Sequence, residues 1–265
     1  MRLNSISEFK EFIKKFTNKK IFLITGHNSY RLSTAKNKFD KLFKNLNIFF
    51  YYKKNNFPEI EELKKIISSI SQFQPDLILA IGGGAVMDYS KIASCYSETK
   101  NLKKELISGR QNLKKKFYLA VVPTTAGSGA EVTSNAVMYI KNNKYSFEGN
   151  ELIPNTYFLI PELIIKNNKK IKASSGFDAI SQALESLISN KSSNKSIKYA
   201  INSLDICLEN YINYLQRPNK NNSSLMLYGS MLAGQAINIS KTTAPHAISY
   251  PFTSIYKISH GHAVS

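Results

Sequence analysis

A chain of 265 residues, 43% of them hydrophobic, is long enough to bury one large core or two smaller ones. It holds no apolar run near the ~20 residues that span a bilayer, no apolar signal-peptide core after Met1, and two cysteines, Cys95 and Cys207, too few for a disulfide framework, so a soluble protein of the reducing cytoplasm is expected. The net charge of +18 comes from lysines spread thinly among asparagines, without an Arg-rich arm, zinc-finger spacing or aromatic RNA-binding signature. It reads mostly as a compositional bias toward Lys and Asn rather than a nucleic-acid footprint, and it is compatible with small anionic substrates.

In chain order, KIFLIT at 20–25 is a short apolar run closed by Gly26, which predicts a buried parallel strand. NIFFYY at 47–52 predicts a second strand. Pro58 reads as the first-turn residue of a helix on which Ile60, Leu63, Ile66, Ile67 and Ile70 share one face. LILAI at 77–81 is a third strand running straight into Gly82, Gly83 and Gly84. A helix is expected over 88–96, and FYLAVV at 117–122 is a fourth strand ending at Pro123. This alternation predicts an α/β layer with a mostly parallel sheet. From about Ser174 strand signals vanish, and 179–188, 197–215 and 225–239 have helical periodicity. In the last of these Gly229, Ala233, Gly234 and Ala236 allow close packing. The expected fold is an α/β, Rossmann-like nucleotide-binding domain over 1–167 and an all-α domain over 168–265.

A strand, a glycine triplet and a helix in succession set bare N–H groups and the positive end of a helix dipole where a phosphate would sit. A tight strand-to-helix turn explains the same residues, and the spacing is not the G-x-G-x-x-G fingerprint. A second polar glycine loop, PTTAGSGAEVT at 123–133, also follows a strand, and two such loops at strand ends are where a nucleotide is expected. Three of the four histidines, His246, His260 and His262, lie in the last twenty residues. Two imidazoles and an upstream aspartate can converge on one metal ion. Asp178 and Gln182, four apart, would project from one helix face. The competing reading makes Asp178 an N-cap after Ser174, Ser175 and Gly176. His27, lone and early, reads as structural.

These motifs carry a resemblance. GGGAVMDYSK at 82–91 resembles the GGG-[SA]-x-x-D-x-x-K segment of the iron-containing (group III) alcohol dehydrogenases, and PTTAGSGAE at 123–131 their PTTAG-[ST]-G-[SA]-E segment. DAISQ at 178–182 matches their DAxxH except at Gln182, and His246 with His260-Gly261 falls at their two-histidine spacing. Within the family, 178–186 and 236–252 look most like phosphonoacetaldehyde reductases. The resemblance implies a dehydroquinate synthase-like fold whose helical metal-binding domain is incomplete, because family members continue beyond the HG segment. It implies NADPH or NADH contacts at Gly82, Gly83, Gly84, Asp88, Thr124, Thr125 and Ser128. It also implies a divalent ion, Fe2+ or Zn2+, held by Asp178, Gln182, His246 and His260. Gln182 then either lends a carbonyl oxygen, a weaker donor than imidazole, or leaves an open position. Gly26 stands where NAD users of the family often carry an acidic residue, which leaves a 2′-phosphate unopposed and favours NADPH.

In the implied reaction the ion polarises an aldehyde oxygen while nicotinamide delivers hydride. His246 and His260 are its catalytic ligands, and Lys241, in the run KTTAPH, is the cationic seat for a phosphonate. His262 has a supporting role, and Tyr250 is a further cleft residue. The expected partner is a small aldehyde or phosphonate substrate, with neither membrane nor nucleic acid; a homodimer is compatible with this. Three readings stay open: a reductase of phosphonoacetaldehyde or a similar small aldehyde, a dehydroquinate-synthase-like lyase, and an inactive truncated remnant with exposed apolar helix faces.

Overall fold

The buried apolar runs of the first half pair into one sheet, and the periodic segments of the second half pack as helices. The computed structural model describes residues 2–3, 5–256 and 258–264. Two compact units emerge, Met1–Thr124 with Ser134–Ile160, and Thr125–Thr133 with Pro161–Ser265. The expected boundary after 167 thus stands at 160/161, and the second glycine loop parts between Thr124 and Thr125.

The first unit comprises β1 (Arg2–Leu3), α1 (Ile6–Lys14), β2 (Lys20–Gly26), α2 (His27–Leu32), α3 (Ala35–Phe43), β3 (Asn47–Lys53) and α4 (Ile60–Phe73). It continues with β4 (Leu77–Gly82), α5 (Gly84–Ala93), α6 (Leu102–Ser108), β5 (Tyr118–Pro123), β6 (Asn135–Ile140), β7 (Asn143–Glu148) and β8 (Thr156–Phe158). Six strands form a sheet in the order β1-β8-β5-β4-β2-β3, with every pair parallel. Every residue of β4 is buried, as is all of β2 except Lys20, which is why these strands read as continuous apolar runs rather than alternating ones. At the sheet edge β3 leaves Phe49 and Tyr52 exposed. The five predicted apolar residues of α4 are all buried, each contributing about 2 kcal/mol of transfer free energy. That helix starts at Ile60, not at Pro58. The Pro58 carbonyl accepts from the Tyr139 N–H at 2.7 Å, and Glu59 bridges to Tyr139, so this stretch is held extended against β6. Likewise α5 begins at Gly84, inside the glycine triplet, rather than at 88.

The strand order reverses between β2 and β4, because β2 pairs with β3 on one side and β4 on the other. In open α/β sheets the ligand crevice lies outside the carboxyl ends of the strands at such a switch point. Here those ends are Gly26 and Gly82. They are pinned together by the Thr25 hydroxyl, which donates to the Ile81 carbonyl at 2.6 Å.

The second unit is helical: α7 (Lys169–Ile188), α8 (Asn194–Gln216), α9 (Lys220–Ser240), α10 (Ala244–Ser254) and α11 (His260–Ala263). Asn168 caps α7, and Ser193 with Ser196 and Asn219 with Asn222 form capping boxes on α8 and α9. Among the described residues no helix is long and apolar enough to cross a membrane. Residues 125–133 join this unit because their glycines fit its helices. Gly129 has φ +57°, and a Cβ there would lie 2.6 Å from the Gly234 Cα of α9. The reciprocal Cβ on Gly234 would lie 2.6 Å from the Gly129 carbonyl oxygen. Gly234→Ala gains about 1 kcal/mol of helix propensity but must displace main chain. A net destabilisation of ~1–3 kcal/mol is expected, read as a lower urea midpoint.

Candidate metal centre

On α7 the side chains of Asp178, Gln182 and Glu185 recur at i, i+4 and i+7 and share one face, and all three are buried. Asp178 sits in the middle of this helix, capped at Asn168, so the N-cap reading is excluded. Opposite them, Pro245 stiffens the first turn of α10 and delivers the buried His246. His260 opens α11, held against α7 by Gly261, where an added Cβ would lie 2.0 Å from the Ser174 carbonyl oxygen.

Asp178, His246 and His260 each turn one ligand atom to a common point, all within 4.8 Å of one another. His246 Nε2 faces Asp178 Oδ1 at 3.3 Å, and His260 Nε2 faces the same oxygen at 3.9 Å. The imidazole rings cross at 5.3 Å between centroids. Asp178 Oδ1, Gln182 Oε1 and His246 Nε2 are buried without a hydrogen-bond partner. On the other edge of the His246 ring, Nδ1 meets Glu185 Oε1. A carboxylate accepts, so Nδ1 carries the proton and Nε2 presents a lone pair. With that tautomer two acceptor atoms, His246 Nε2 and Asp178 Oδ1, face each other at 3.3 Å and need a proton or a cation between them. Burial makes that costly unless a cation joins them, and Asp, His and amide oxygen suit Fe2+ or Zn2+.

Electrostatics agree with the geometry. Burial pulls the His246 imidazolium down, yet the hydrogen bonds and charges of Asp178 and Glu185 outweigh it and hold the group at about 9. Burial raises the Asp178 carboxyl, but His246 and His260 overcome this and keep it below the usual carboxylate range. Glu185 is likewise held low against its burial by His246 and Thr243. A proton on His246 therefore fills the place a metal would take.

Glu185 escaped the sequence reading, although its i+7 spacing from Asp178 marks the same helix face. His260 has an outer partner as well. Its Nδ1 lies 3.4 Å from the Ser249 hydroxyl, which donates to the His246 carbonyl at 2.7 Å, so Nε2 is again left for the metal. Tyr250 stacks on the His260 ring at 5.7 Å and 11°, and its hydroxyl hydrogen-bonds Thr242. His262 is exposed and stands outside the group, while His27 packs edge-on against Tyr52. Lys241 ends α9 with φ 61° and ψ 173°, a conformation favoured by glycine, and lines a cavity of about 480 Å³ with Lys191, Thr242 and Thr243.

In the first unit Gly83 caps α5, and a Cβ on Gly82 would strike Val86 at 2.5 Å. Asp88 accepts from the Val137 N–H. Burial lifts its carboxyl to about 6 against the pull of Lys91 and Lys144. Lys91, fully buried, donates to the Asn135 carbonyl at 2.6 Å. Asp88 and Lys91 thus clasp the β6–β7 hairpin to α5. Thr124 donates its N–H to the Gly82 carbonyl at 3.0 Å. Thr125 and Ser128 belong to the second unit, where Gly127 and Gly129 are accounted for by helix contacts.

The model of the iron-containing alcohol dehydrogenase family matches residues 1–161, and that of the Fe-containing alcohol dehydrogenase family's C-terminal region matches residues 172–265. The chain is 31% identical over 211 residues to the 4-hydroxybutyrate dehydrogenase of Clostridium kluyveri, covering 78% of this chain and 56% of that one. It is 28% identical over 214 residues to the phosphonoacetaldehyde reductase of Streptomyces viridochromogenes, covering 77% and 54%. It therefore spans little more than half the length of these relatives. A solved iron-containing alcohol dehydrogenase from Thermotoga maritima superposes with a TM-score of 0.86 at 25% identity, over 100% of this chain and 73% of that one.

Proposed function

The chain belongs to the iron-containing alcohol dehydrogenase family, and on that premise we propose that it is a metal-dependent, NAD(P)H-linked aldehyde reductase. The observation that carries this reading is the convergence of one ligand atom each from Asp178, His246 and His260 within 4.8 Å of one another, with Asp178 and His246 buried. When bound, a divalent ion supplies Lewis-acid polarisation of a carbonyl oxygen, and nicotinamide supplies hydride. Asp178, His246 and His260 would hold the ion, with Gln182 Oε1 as a fourth, weaker donor. Since Gln182 is neutral like the family's histidine, the replacement keeps the net charge of the site and lowers its affinity.

Gly82, Gly83, Gly84, Asp88 and Thr124 would bind the cofactor at the sheet's switch point, and Thr125 and Ser128 stay candidates on their motif. Gly26 ends β2 without a carboxylate and beside Lys53, which supports NADPH over NADH. The substrate proposed is a small aldehyde with an anionic tail, phosphonoacetaldehyde above all, reduced to 2-hydroxyethylphosphonate. Two relatives named for 4-hydroxybutyrate and phosphonoacetaldehyde support that class, with Lys241 as the cation for the tail.

The test is NADPH and NADH oxidation by Fe2+- or Zn2+-loaded protein across aldehydes with and without a phosphonate. Turnover of phosphonoacetaldehyde is expected. Lys241→Ala should raise its KM about tenfold, the loss of ~1.4 kcal/mol of charge-assisted binding, and leave an uncharged aldehyde unaffected. KM values for both substrates unchanged from wild type in the variant would remove Lys241 from the site, and no turnover of any aldehyde would overturn the reading.

A further inference from the structure

One carboxylate braces the His246 side of the centre with both of its oxygens. Glu185 Oε1 meets His246 Nδ1, while its Oε2 accepts from the Thr243 N–H and, at 2.9 Å, from the Thr243 hydroxyl. Thr243 is followed directly by α10, which carries His246, and preceded by Thr242, whose side chain hydrogen-bonds the Tyr250 hydroxyl. Tyr250 in turn lies flat against His260. We propose that Glu185 is the positioning residue of the metal centre. It fixes the tautomer of His246 directly and, through Thr243, Thr242 and Tyr250, sets the plane of His260.

The chemistry requires a carboxylate at this point rather than any polar group. Both partners of Glu185 are donors, Nδ1–H on one oxygen and the Thr243 N–H and O–H on the other. An amide of the same shape cannot serve both. With its oxygen toward Nδ1, its NH2 faces the Thr243 N–H, and two donors repel. With its NH2 toward Nδ1, that nitrogen must accept, so the proton moves to Nε2 and covers the lone pair a metal needs. Glu185→Gln is therefore disruptive despite being isosteric. The inference rests on the metal reading above, and the two can fail separately.

The experiment is titration of the metal-free protein with Co2+, followed by its visible absorption, with Zn2+ affinity from competition against a chelating dye. Wild type is expected to bind one ion with a well-defined Co2+ spectrum. Glu185→Gln should bind about 10–100-fold more weakly with an altered spectrum, since the orientation of two ligands changes. Thr243→Val, which keeps the N–H and loses the hydroxyl, should give a smaller loss and a spectral change in the same direction. A purely structural role for Glu185 would lower the apo melting temperature and leave the Co2+ spectrum alone. Failure of wild type to bind Co2+ or Zn2+ overturns the metal reading. Binding by wild type and Glu185→Gln within twofold, with one spectrum, overturns the positioning role alone. Should Glu185→Gln not fold, an unchanged spectrum in Thr243→Val overturns it equally.

Discussion

Asp178→Asn is expected to reduce metal affinity by about 10³-fold, and turnover with it. Asp178 is the only anion in the donor set, and its Oδ1 faces both imidazoles. The asparagine keeps the volume and an oxygen but removes the charge. Several kcal/mol of ion stabilisation go with that charge, and each ~1.4 kcal/mol is a factor of ten. The same substitution changes the pH dependence. In the apo chain His246 is held at about 9, against an ordinary value near 6.5, with burial opposed by Asp178 and Glu185. Its folded pKa is raised, so its contribution to stability is complete below about 6.5 and disappears as pH climbs through 9. A metal must displace that proton, so wild-type affinity should rise about tenfold per pH unit up to 9. In Asp178→Asn the slope should level off at lower pH, because one of the two carboxylates holding the imidazolium is gone. Chelator competition at pH 6, 7, 8 and 9 reads both effects. Binding within tenfold of wild type would remove Asp178 from the ligand set.

The elements that sequence made legible are those whose burial is decided locally. The runs of β2, β4 and β5 are apolar on both faces, and α4 repeats its isoleucines at helical spacing, so each announces its environment. The β6–β7 hairpin gave no such signal. Its strands are joined by Lys141-Asn142, with positive φ at Lys141 and none of the Asn-Gly or Asp-Gly chemistry that marks a two-residue turn. The reach of the second glycine loop was also hidden. PTTAGSGAE looks like one more phosphate loop until Gly129 is seen to need a glycine on α9 as its neighbour, and that pairing spans over a hundred residues of chain. At the metal centre Asp178, His246 and His260 were legible as ligand types in a familiar spacing. Glu185 was not, because a buried glutamate on a helix is distinguished only by its partners, His246 and Thr243, both about sixty residues away.

Gly261→Ala tests whether the HG pair is a matter of position rather than conformation, and it is expected to lower metal affinity about 100-fold while leaving the fold intact. Gly261 has ordinary helical backbone, and alanine is the better helix former, so local propensity predicts a neutral or stabilising change. Contact predicts the reverse. The new Cβ would lie 2.0 Å from the Ser174 carbonyl oxygen and 3.0 Å from the Asp178 Cβ. Those atoms belong to α7, a helix of 20 residues locked by α8 and α9, whereas α11 has 4 residues. The short element yields. Relief of the overlap needs a shift of roughly 1 Å or more, and metal–ligand distances tolerate only about 0.2 Å. His260, on the adjacent residue, would be drawn away from a bound ion. A displacement of that size costs about 10²-fold where geometry is functional. Gly234→Ala supplies the contrast, since its clash lies between elements that cannot move apart cheaply and should appear in the urea midpoint. In Gly261→Ala the apo midpoint should stay within ~0.5 kcal/mol of wild type while Co2+ titration shows the loss. An unchanged Co2+ affinity would mean that α11 does not carry a ligand, and the site would reduce to Asp178, Gln182 and His246.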